Sequence, residues 1–510
     1  MKALMKTSTG RIIIAGSLIV LQVIWFVVFV RKLTAYSLVI NLSLKTLSLV
    51  MVLRVMGTEM NPASKLAWVI PLLTFPILGG LMCLLLYQRK PTKKLQRKLT
   101  YSESRLRPLL PDCQKIMQEI RIQSKPVEGQ VHYLLETSGF PIYKDTQTFY
   151  YPSGEETLPV LLAELEKAEY FIFMEYFIIR FGTMWGQVLE ILKRKAAAGV
   201  DVRVIYDDVG SLTYLPHGYY KELEAMGIRC EAFNHFVPFF SAVMNNRDHR
   251  KITVIDGHTG FSGGINLGDE YINKESRYGY WKDNGIMLKG EAVWSLTVMF
   301  LTMWNAIRPT DRHFEPFTAH AHHPGTFAGT GYVQPYSDSP LDNENVGENV
   351  YINMINSAQD YITMINPYIV LDNELITAMT LAAKRGVDIK LIVPGISDSK
   401  IVSWLADTYF PQLMEHGVKI YQYKPGFLHS KVFLCDDKVA TVGSFNLDYR
   451  SLYLHFECGI FLYQAESVQA VRKDRDEILR ESRVLTLEML HRRAPVRVLQ
   501  QVLRIFAPLI

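Results

Sequence analysis

Acidic side chains are almost missing from the start of this 510-residue chain: residues 1–98 hold fourteen Lys and Arg and a single acid, Glu59. Charge is scarce overall, at 21% against 49% hydrophobic residues. That balance excludes disorder and leans towards a membrane protein with a sizeable folded part. Cysteine is sparse and unpatterned. Cys83, Cys113, Cys230, Cys435 and Cys458 form no CxxC or zinc-like spacing, so neither a disulfide framework nor a structural metal is indicated, and a reducing compartment is the default. Basic excess is also missing from the body, where residues 99–510 carry 41 basic and 49 acidic side chains, a balance of −8. A net-negative body is poorly suited to binding nucleic acid by bulk electrostatics. The +13 of the first 98 residues instead suits an anionic membrane surface.

No charge at all falls between Ile12 and Val30, 19 residues that reach ~28 Å as a helix, close to the hydrocarbon thickness. The run exceeds the ~7–15 residues of a signal-peptide core, and no clean small-x-small cleavage site follows it. A second run, Leu66 to Tyr87, is interrupted only by Pro71, Pro76 and Gly79-Gly80, breakers that membrane helices tolerate. Two spans are expected, near 12–30 and 66–87. Between them, residues 36–53 carry Asn41 and Lys45, and a charge at a helix centre costs ~2.5–3.5 kcal/mol on insertion scales. A third span, a re-entrant piece and an interfacial helix all stay open there. Arg89, Lys90, Lys93, Lys94, Arg97 and Lys98 follow. The positive-inside rule sets them, and the body beyond, on the cytoplasmic side of a cell membrane crossed more than once.

Beyond an anchor at 1–98 and a connector at 99–146, the chain reads twice. Residues 147–310 and 331–483 each alternate strands and helices of ~10–15 residues, which predicts an α/β layered fold. Ala-Gly-Val-Asp-Val-Arg-Val-Ile (198–205) nearly overlays Arg-Gly-Val-Asp-Ile-Lys-Leu-Ile (385–392). Residues 311–330, rich in His, Pro and Gly, read as the linker. The repeat sharpens at His249-Arg-Lys251-Ile-Thr-Val-Ile-Asp256, followed by Gly263-Gly264-Ile-Asn266. Its second copy is His429-Ser-Lys431-Val-Phe-Leu-Cys-Asp436, followed by Gly443-Ser444-Phe-Asn446, each position 180 residues on.

His and Lys at i and i+2 share one face of a strand. The glycines admit a close backbone approach, and Asn offers a donor beside it. Each Asp either joins the pocket or closes the strand in a turn. Two imidazoles and two ammonium groups meeting across a pseudo-two-fold axis suit a phosphodiester. Lys offsets phosphate charge, a neutral His attacks phosphorus, and the opposite protonated His serves the leaving alkoxide. That chemistry needs no metal or cofactor. A carboxylate should orient each imidazole. Glu457, 28 residues after His429, and Asp283, 34 after His249, are expected in that role, each for the imidazole of its own half. The aromatic clusters Tyr176-Phe177 and Phe236–Phe240 line the pocket, meet the bilayer or fill the core.

The paired HxKx4Dx6G(G/S)xN segments resemble those of the phospholipase D superfamily. Asn61-Pro-Ala-Ser-Lys65-Leu-Ala-Trp68, Met174-Glu-Tyr176, Phe261-Ser-Gly-Gly-Ile-Asn-Leu-Gly-Asp-Glu-Tyr271 and Val333-Gln-Pro-Tyr narrow the resemblance to membrane-anchored bacterial cardiolipin synthases. It implies two pseudo-symmetric α-β-α sandwich halves with mixed sheets. It also implies transfer between two phosphatidylglycerols, giving cardiolipin and glycerol. His249, Lys251, Asp256, His429, Lys431 and Asp436 are then catalytic, with His249 the nucleophile. Asn266, Asn446, Gly263, Gly264, Gly443, Ser444, Asp283 and Glu457 support them. A hydrolase using water, a transferase using another alcohol, a nuclease and a silent scaffold remain the alternatives. The tail, 484–510, mixes basic and apolar residues and either lies on anionic lipid or packs back on the body.

Overall fold

The computed structural model describes residues 38–74, 90–236, 245–492 and 494–509, with isolated positions at 24, 25, 28 and 32. Apart from those positions, the expected span near 12–30 lies outside the described residues. So do residues 75–87 of the second span, Cys83, and 237–240 of the Phe236–Phe240 cluster. Helices α1 (Leu38–Met56) and α2 (Pro62–Thr74) pack on each other through Met51, Val55, Val69 and Leu72. Among the described residues no helix is long and apolar enough to cross a membrane. The expectation of transmembrane helices is therefore not met within 38–74. α1, which covers the third stretch, is helical but carries Lys45 and Arg54.

The connector is helical rather than a loop. α3 (Lys90–Leu106) lies on the body, and the helices Gln114–Gln123 and Lys125–Ser138 bring Met117, Ile120, Val131 and Leu134 into the core of the second half.

The first half supplies β1 (Thr146–Tyr151), β2 (Phe171–Tyr176), β3 (Asp201–Asp207), β4 (Arg229–Phe233), β5 (Arg247–Asp248), β6 (Lys251–Ile255), β7 (Thr259–Gly263), β8 (Tyr280–Lys282) and β9 (Gly285–Gly290). The second supplies β10 (Tyr332–Asp338), β11 (Tyr361–Ile365), β12 (Asp388–Pro394), β13 (Lys419–Tyr423), β14 (Gly426–Leu428), β15 (Val432–Cys435), β16 (Val439–Gly443), β17 (His455–Tyr463) and β18 (Ser482–Val484). One sheet runs β1-β9-β7-β6-β2-β3-β4 and the other β10-β17-β16-β15-β11-β12-β13-β18, so the two match strand for strand up to β18. In each, three strands are parallel (β2-β3-β4 and β11-β12-β13) and the hairpin side is antiparallel.

Both faces of the central strands are buried, which is why they read as near-continuous apolar runs rather than alternating ones. Successive residues of β2 still divide by period two. Phe171 and Phe173 face a core shared by both sheets, whereas Ile172 and Met174 face the helices Gly154–Lys167 and Thr183–Ala197. α4 (Val293–Ile307), apolar on nearly every side, is buried in the shared core, as its composition requires. The layers are thus helices, sheet, shared core, sheet, helices.

Two short strand pairs cross between the halves. β5 pairs in parallel with β17, and β14 pairs in parallel with β8. Each strand leading into a motif histidine is therefore held by the other half.

Candidate active site

Those crossed pairs position the two imidazoles. The His249 amide donates to the Phe456 carbonyl at 2.9 Å, and the His429 amide to that of Lys282 at 2.7 Å. One residue further along each host strand stands an acid. His249 Nδ1 donates to Glu457 at 2.9 and 3.0 Å, and His429 Nδ1 donates to Asp283 Oδ2 at 2.6 Å. The sequence-based expectation put each acid with the imidazole of its own half, and the structure corrects it: the pairs are exchanged. Spacing along one half cannot reveal a contact made by the other. Because Nδ1 is engaged by a carboxylate, Nε2 is the nitrogen that keeps a lone pair for chemistry.

All four groups are buried. Burial lowers the His249 imidazole to about 3 and that of His429 to about 4, more than their carboxylate partners restore. For Glu457 burial acts upward, but the facing His249 and Lys251 hold the carboxyl well below the ordinary range. Burial thus favours the neutral form of both imidazoles, while Glu457 stays ionised. Ser444 Oγ and Ser451 Oγ also donate to Glu457, the latter at 2.5 Å.

Lys251 opens β6, Lys431 immediately precedes β15, and both are almost wholly buried. Burial lowers them to about 8 and about 7. Lys431 Nζ stands 2.9 and 3.0 Å from the two ring nitrogens of His429, and Lys251 Nζ donates to the His249 carbonyl. Lys251 Nζ also lies 5.5 Å from the centre of the Phe177 ring, which meets His249 edge-on at 4.9 Å. Of the cluster Tyr176-Phe177, Phe177 therefore borders the site, while Tyr176 bonds Thr253 in the core.

Asp256 and Asp436, expected among the catalytic residues, are placed elsewhere. Both close their strands in the left-handed region, at φ 48° and 51°. The Asp256 carboxylate accepts from the amides of Glu169, Tyr170 and Phe171 at 2.8–2.9 Å. Asp436 accepts from Gln359, Asp360 and Tyr361 at 2.8–3.0 Å. Each satisfies the first amides of a neighbouring central strand, a fixed turn rather than a reacting group.

The glycines do serve close approach. A Cβ on Gly263 (φ +137°) would meet the Asn284 carbonyl at 2.5 Å, one on Gly264 would meet Asp283 Oδ1 at 2.1 Å, and one on Gly443 the Cys458 carbonyl at 2.6 Å. Ser444 takes the place of Gly264 and uses its hydroxyl on Glu457. Asn266 is occupied rather than offered to a ligand, accepting from the Ile178 amide at 3.1 Å and donating to Tyr271 Oη at 2.7 Å. The Asn446 amide donates to Ser451 Oγ at 2.8 Å.

Sequence reasoning missed Ser451, His455 and Trp281. Ser451 lies 180 residues after Tyr271, and the two answer each other beside the paired asparagines. His455 stands over His249, ring centres 5.5 Å apart, as Trp281 stands over His429 at 5.2 Å. Both precede an acid by two residues on β17 and β8, and that signal was present in the sequence. His249, His455 and Glu457 bring ligand atoms within 4.8 Å of one another and could hold a metal. The Glu457 oxygens, however, are already shared among an imidazole and two hydroxyls, the donor set of an orienting carboxylate.

Comparison with known proteins gives this geometry a family context. A family model described as "Cardiolipin synthase, PLD-like domain" matches residues 161–301 and 351–479. A protein of Streptococcus mutans is 44% identical over 90% of this chain and 99% of its own. A cardiolipin synthase of Geobacillus kaustophilus is 36% identical over 88% of this chain and 89% of its own. Among solved structures, a phosphatidylserine synthase of Haemophilus influenzae superposes with a TM-score of 0.54 at 13% identity, covering 74% of this chain and 98% of that one. At that identity it speaks for the fold alone.

Proposed function

The chain belongs to the PLD-like cardiolipin synthase family, and from that premise we propose that it joins two phosphatidylglycerols into cardiolipin with release of glycerol. The observation that carries the reading is the pair of buried imidazoles, each tied through Nδ1 to a carboxylate of the opposite half with a lysine two residues on.

In the first step, His249 Nε2 attacks the phosphorus of one phosphatidylglycerol. The bond from phosphorus to the glycerol oxygen breaks, and protonated His429 gives that oxygen its proton. The arriving diester charge draws the Lys431 ammonium off His429 and offsets the burial that keeps the imidazole neutral, so His429 can carry the proton it donates. Lys251 and Lys431 hold the phosphoryl oxygens as charge builds on them. In the second step, His429 takes the proton of a hydroxyl on the second phosphatidylglycerol. The oxygen displaces His249 from phosphorus, the P–N bond breaks, and cardiolipin leaves. Every step is served by side chains of the chain itself. Asp256 and Asp436 act by shaping the strands.

The remaining elements of the reading concern place and parts. Residues 1–98 tether the enzyme to a cell membrane through the span near 12–30 and the apolar run near 66–87, whose first residues belong to α2, with the body on the cytoplasmic side. Residues 147–310 and 331–483 are its catalytic halves, joined at 311–330. Their net-negative charge argues against nucleic acid as substrate.

Purified protein in phosphatidylglycerol vesicles with a chelator provides the test. Cardiolipin and glycerol should appear in equal amounts and vanish in His249→Ala and His429→Ala. Phosphatidic acid as the main product would make the enzyme a hydrolase, loss with the chelator would make it metal-dependent, and no turnover would leave a scaffold.

A further inference from the structure

The C-terminal helix α6 (Ala494–Ile505) has two apolar stripes, and only one is used by the protein. The inner stripe, Val496, Gln500 and Leu503, continues to buried Ala507 in the 507–509 turn. Gln500 Nε2 donates to the Trp404 carbonyl at 2.9 Å, and Arg504 donates to that of Thr408 at 3.0 Å with its guanidinium 4.7 Å from the Tyr409 ring. The tail thus packs back on the body. Yet Val498, Val502, Ile505 and Leu509 recur at i, i+4, i+7 and i+11 on the opposite side and are exposed, Val498 by 64%. Helices with that spacing bury the stripe against something.

The neighbours indicate what it is. α6 and its terminal turn pack against α2, whose own outward stripe, Leu66, Ile70 and Leu73, is exposed as well. α2 overlaps the start of the second long apolar run, Leu66 to Tyr87. Arg497 flanks the α6 stripe, Arg492 just before the helix is paired with Asp407 at 2.7 Å, and the N-terminal 98 residues add their +13. Exposed large apolar side chains also run along α1, which packs on α2 (Leu38, Leu42, Leu49 and Leu53), and along the chain just before α6 (Val484, Leu487 and Met489). The α6–α2 face also has a short route to the site. The terminal turn packs against α5 (Tyr449–Tyr453), Asn61 donates to Tyr453 Oη at 3.0 Å, and Ser451 of the same helix donates to Glu457.

We infer that α6 and the outer edge of α2 form an interfacial seat that beds the second half in the headgroup layer of an anionic bilayer. Val498, Val502 and Ile505 enter the acyl boundary, and Arg497 meets lipid phosphates. The inference deepens the proposed function, since it says how the body meets a lipid substrate, and rests on it only for the activity readout.

The test uses the full chain in vesicles of phosphatidylglycerol and phosphatidylcholine, with the outward-facing pair Val502→Glu and Ile505→Glu. Transfer on vesicle phosphatidylglycerol should fall about tenfold or more, while transfer on monomeric short-chain phosphatidylglycerol, which needs no seat, stays within about twofold of the parent. Equal rates on both substrates would overturn the seat. If both rates fall together, Val502→Trp decides. Quenching of its fluorescence by brominated lipid supports the seat, and emission indifferent to brominated lipid, as in a face closed by a second copy of the chain, removes it. If the parent transfers phosphatidyl groups on neither substrate, the proposed function fails and the quenching result still stands by itself.

Discussion

The two halves share a strand order, yet they surround their imidazoles differently. Next to His249, the Arg250 guanidinium is buried between Asp248, at 3.1 Å, and Glu175. The second half has Leu428 and Ser430 at the positions of Asp248 and Arg250, and Ile365 opposite Val432 where Glu175 lies opposite Ile252. Around His429 stand four rings instead, those of Trp281, Tyr271, Phe427 and Tyr368, at 5.2–6.4 Å. Aromatic π-systems favour a neighbouring cation by about 0.5–2 kcal/mol, which suits the imidazole that must carry a proton. An ion network holding its backbone rigid suits the imidazole that must attack along a fixed line. On the proposed mechanism, a duplicated scaffold thereby serves two chemical roles without a change of topology.

The sharpest way to break this division is to remove each imidazole and look for a covalent intermediate. His249→Asn should lose turnover by more than about 10⁴-fold and trap no phosphoenzyme. His429→Asn should lose about 10²–10⁴-fold on phosphatidylglycerol, yet still form phosphoenzyme from a diester with a nitrophenolate leaving group, which needs no acid. A phosphoenzyme in the first variant and none in the second would exchange the roles. Next in size, Glu457→Gln should lower kcat by about 10²–10⁴-fold and slow phosphoenzyme formation, whereas Asp283→Asn should act on departure of glycerol. The reverse assignment would mean that the crossed pairs are not used in catalysis.

Charge on the lysines gives a smaller, graded effect. Burial lowers both groups, so the neutral amine dominates above about 7 for Lys431 and above about 8 for Lys251. Phosphate needs the charged forms, so kcat/KM on short-chain phosphatidylglycerol should decline as pH rises through that interval. A flat profile would break the link. Substitutions at the matched positions 264 and 444 sharpen the contrast further. Gly264→Ala drives a Cβ into Asp283 and should cost about 1–3 kcal/mol of stability, measured by urea unfolding, with a fall in kcat. Ser444→Gly removes one hydroxyl from Glu457 and should cost about 1 kcal/mol. The smallest effect on rate belongs to Asp256→Asn, which should lower the unfolding midpoint while leaving kcat within about threefold. A larger loss would return Asp256 to the pocket.

Much of this was legible in the sequence, and the limits have physical causes. The duplicated succession of strands and helices and the His/Lys pairs were legible because the two copies of the motif keep one register, each position 180 residues on. Glu457 and Asp283 could be singled out as orienting acids, but not assigned to their imidazoles, since the assignment depends on β5–β17 and β8–β14 pairing across the halves. Asp256 and Asp436 share a motif with the reacting groups for a reason unrelated to reaction: three backbone amides of a central strand need an acceptor there. Gly264 and Ser444 differ because a Cβ at 264 would run into Asp283, whereas the Ser444 hydroxyl is bonded to Glu457. The apolar run at 36–53 pointed to the membrane, but Lys45 and Arg54 give α1 a different character from a spanning helix.

The exchanged carboxylates also bear on how the protein comes off the ribosome. His249 is synthesised some two hundred residues before Glu457, and until that acid emerges and β17 pairs with β5, the imidazole has no partner to fix its tautomer. A nascent or truncated chain ending between residues 266 and 457 therefore carries the first motif complete and chemically unarmed. On the proposed mechanism, catalytic competence arrives only with about the last tenth of translation, so a damaged or unfinished copy docked at a lipid surface cannot begin a phosphoryl transfer that it is unable to finish.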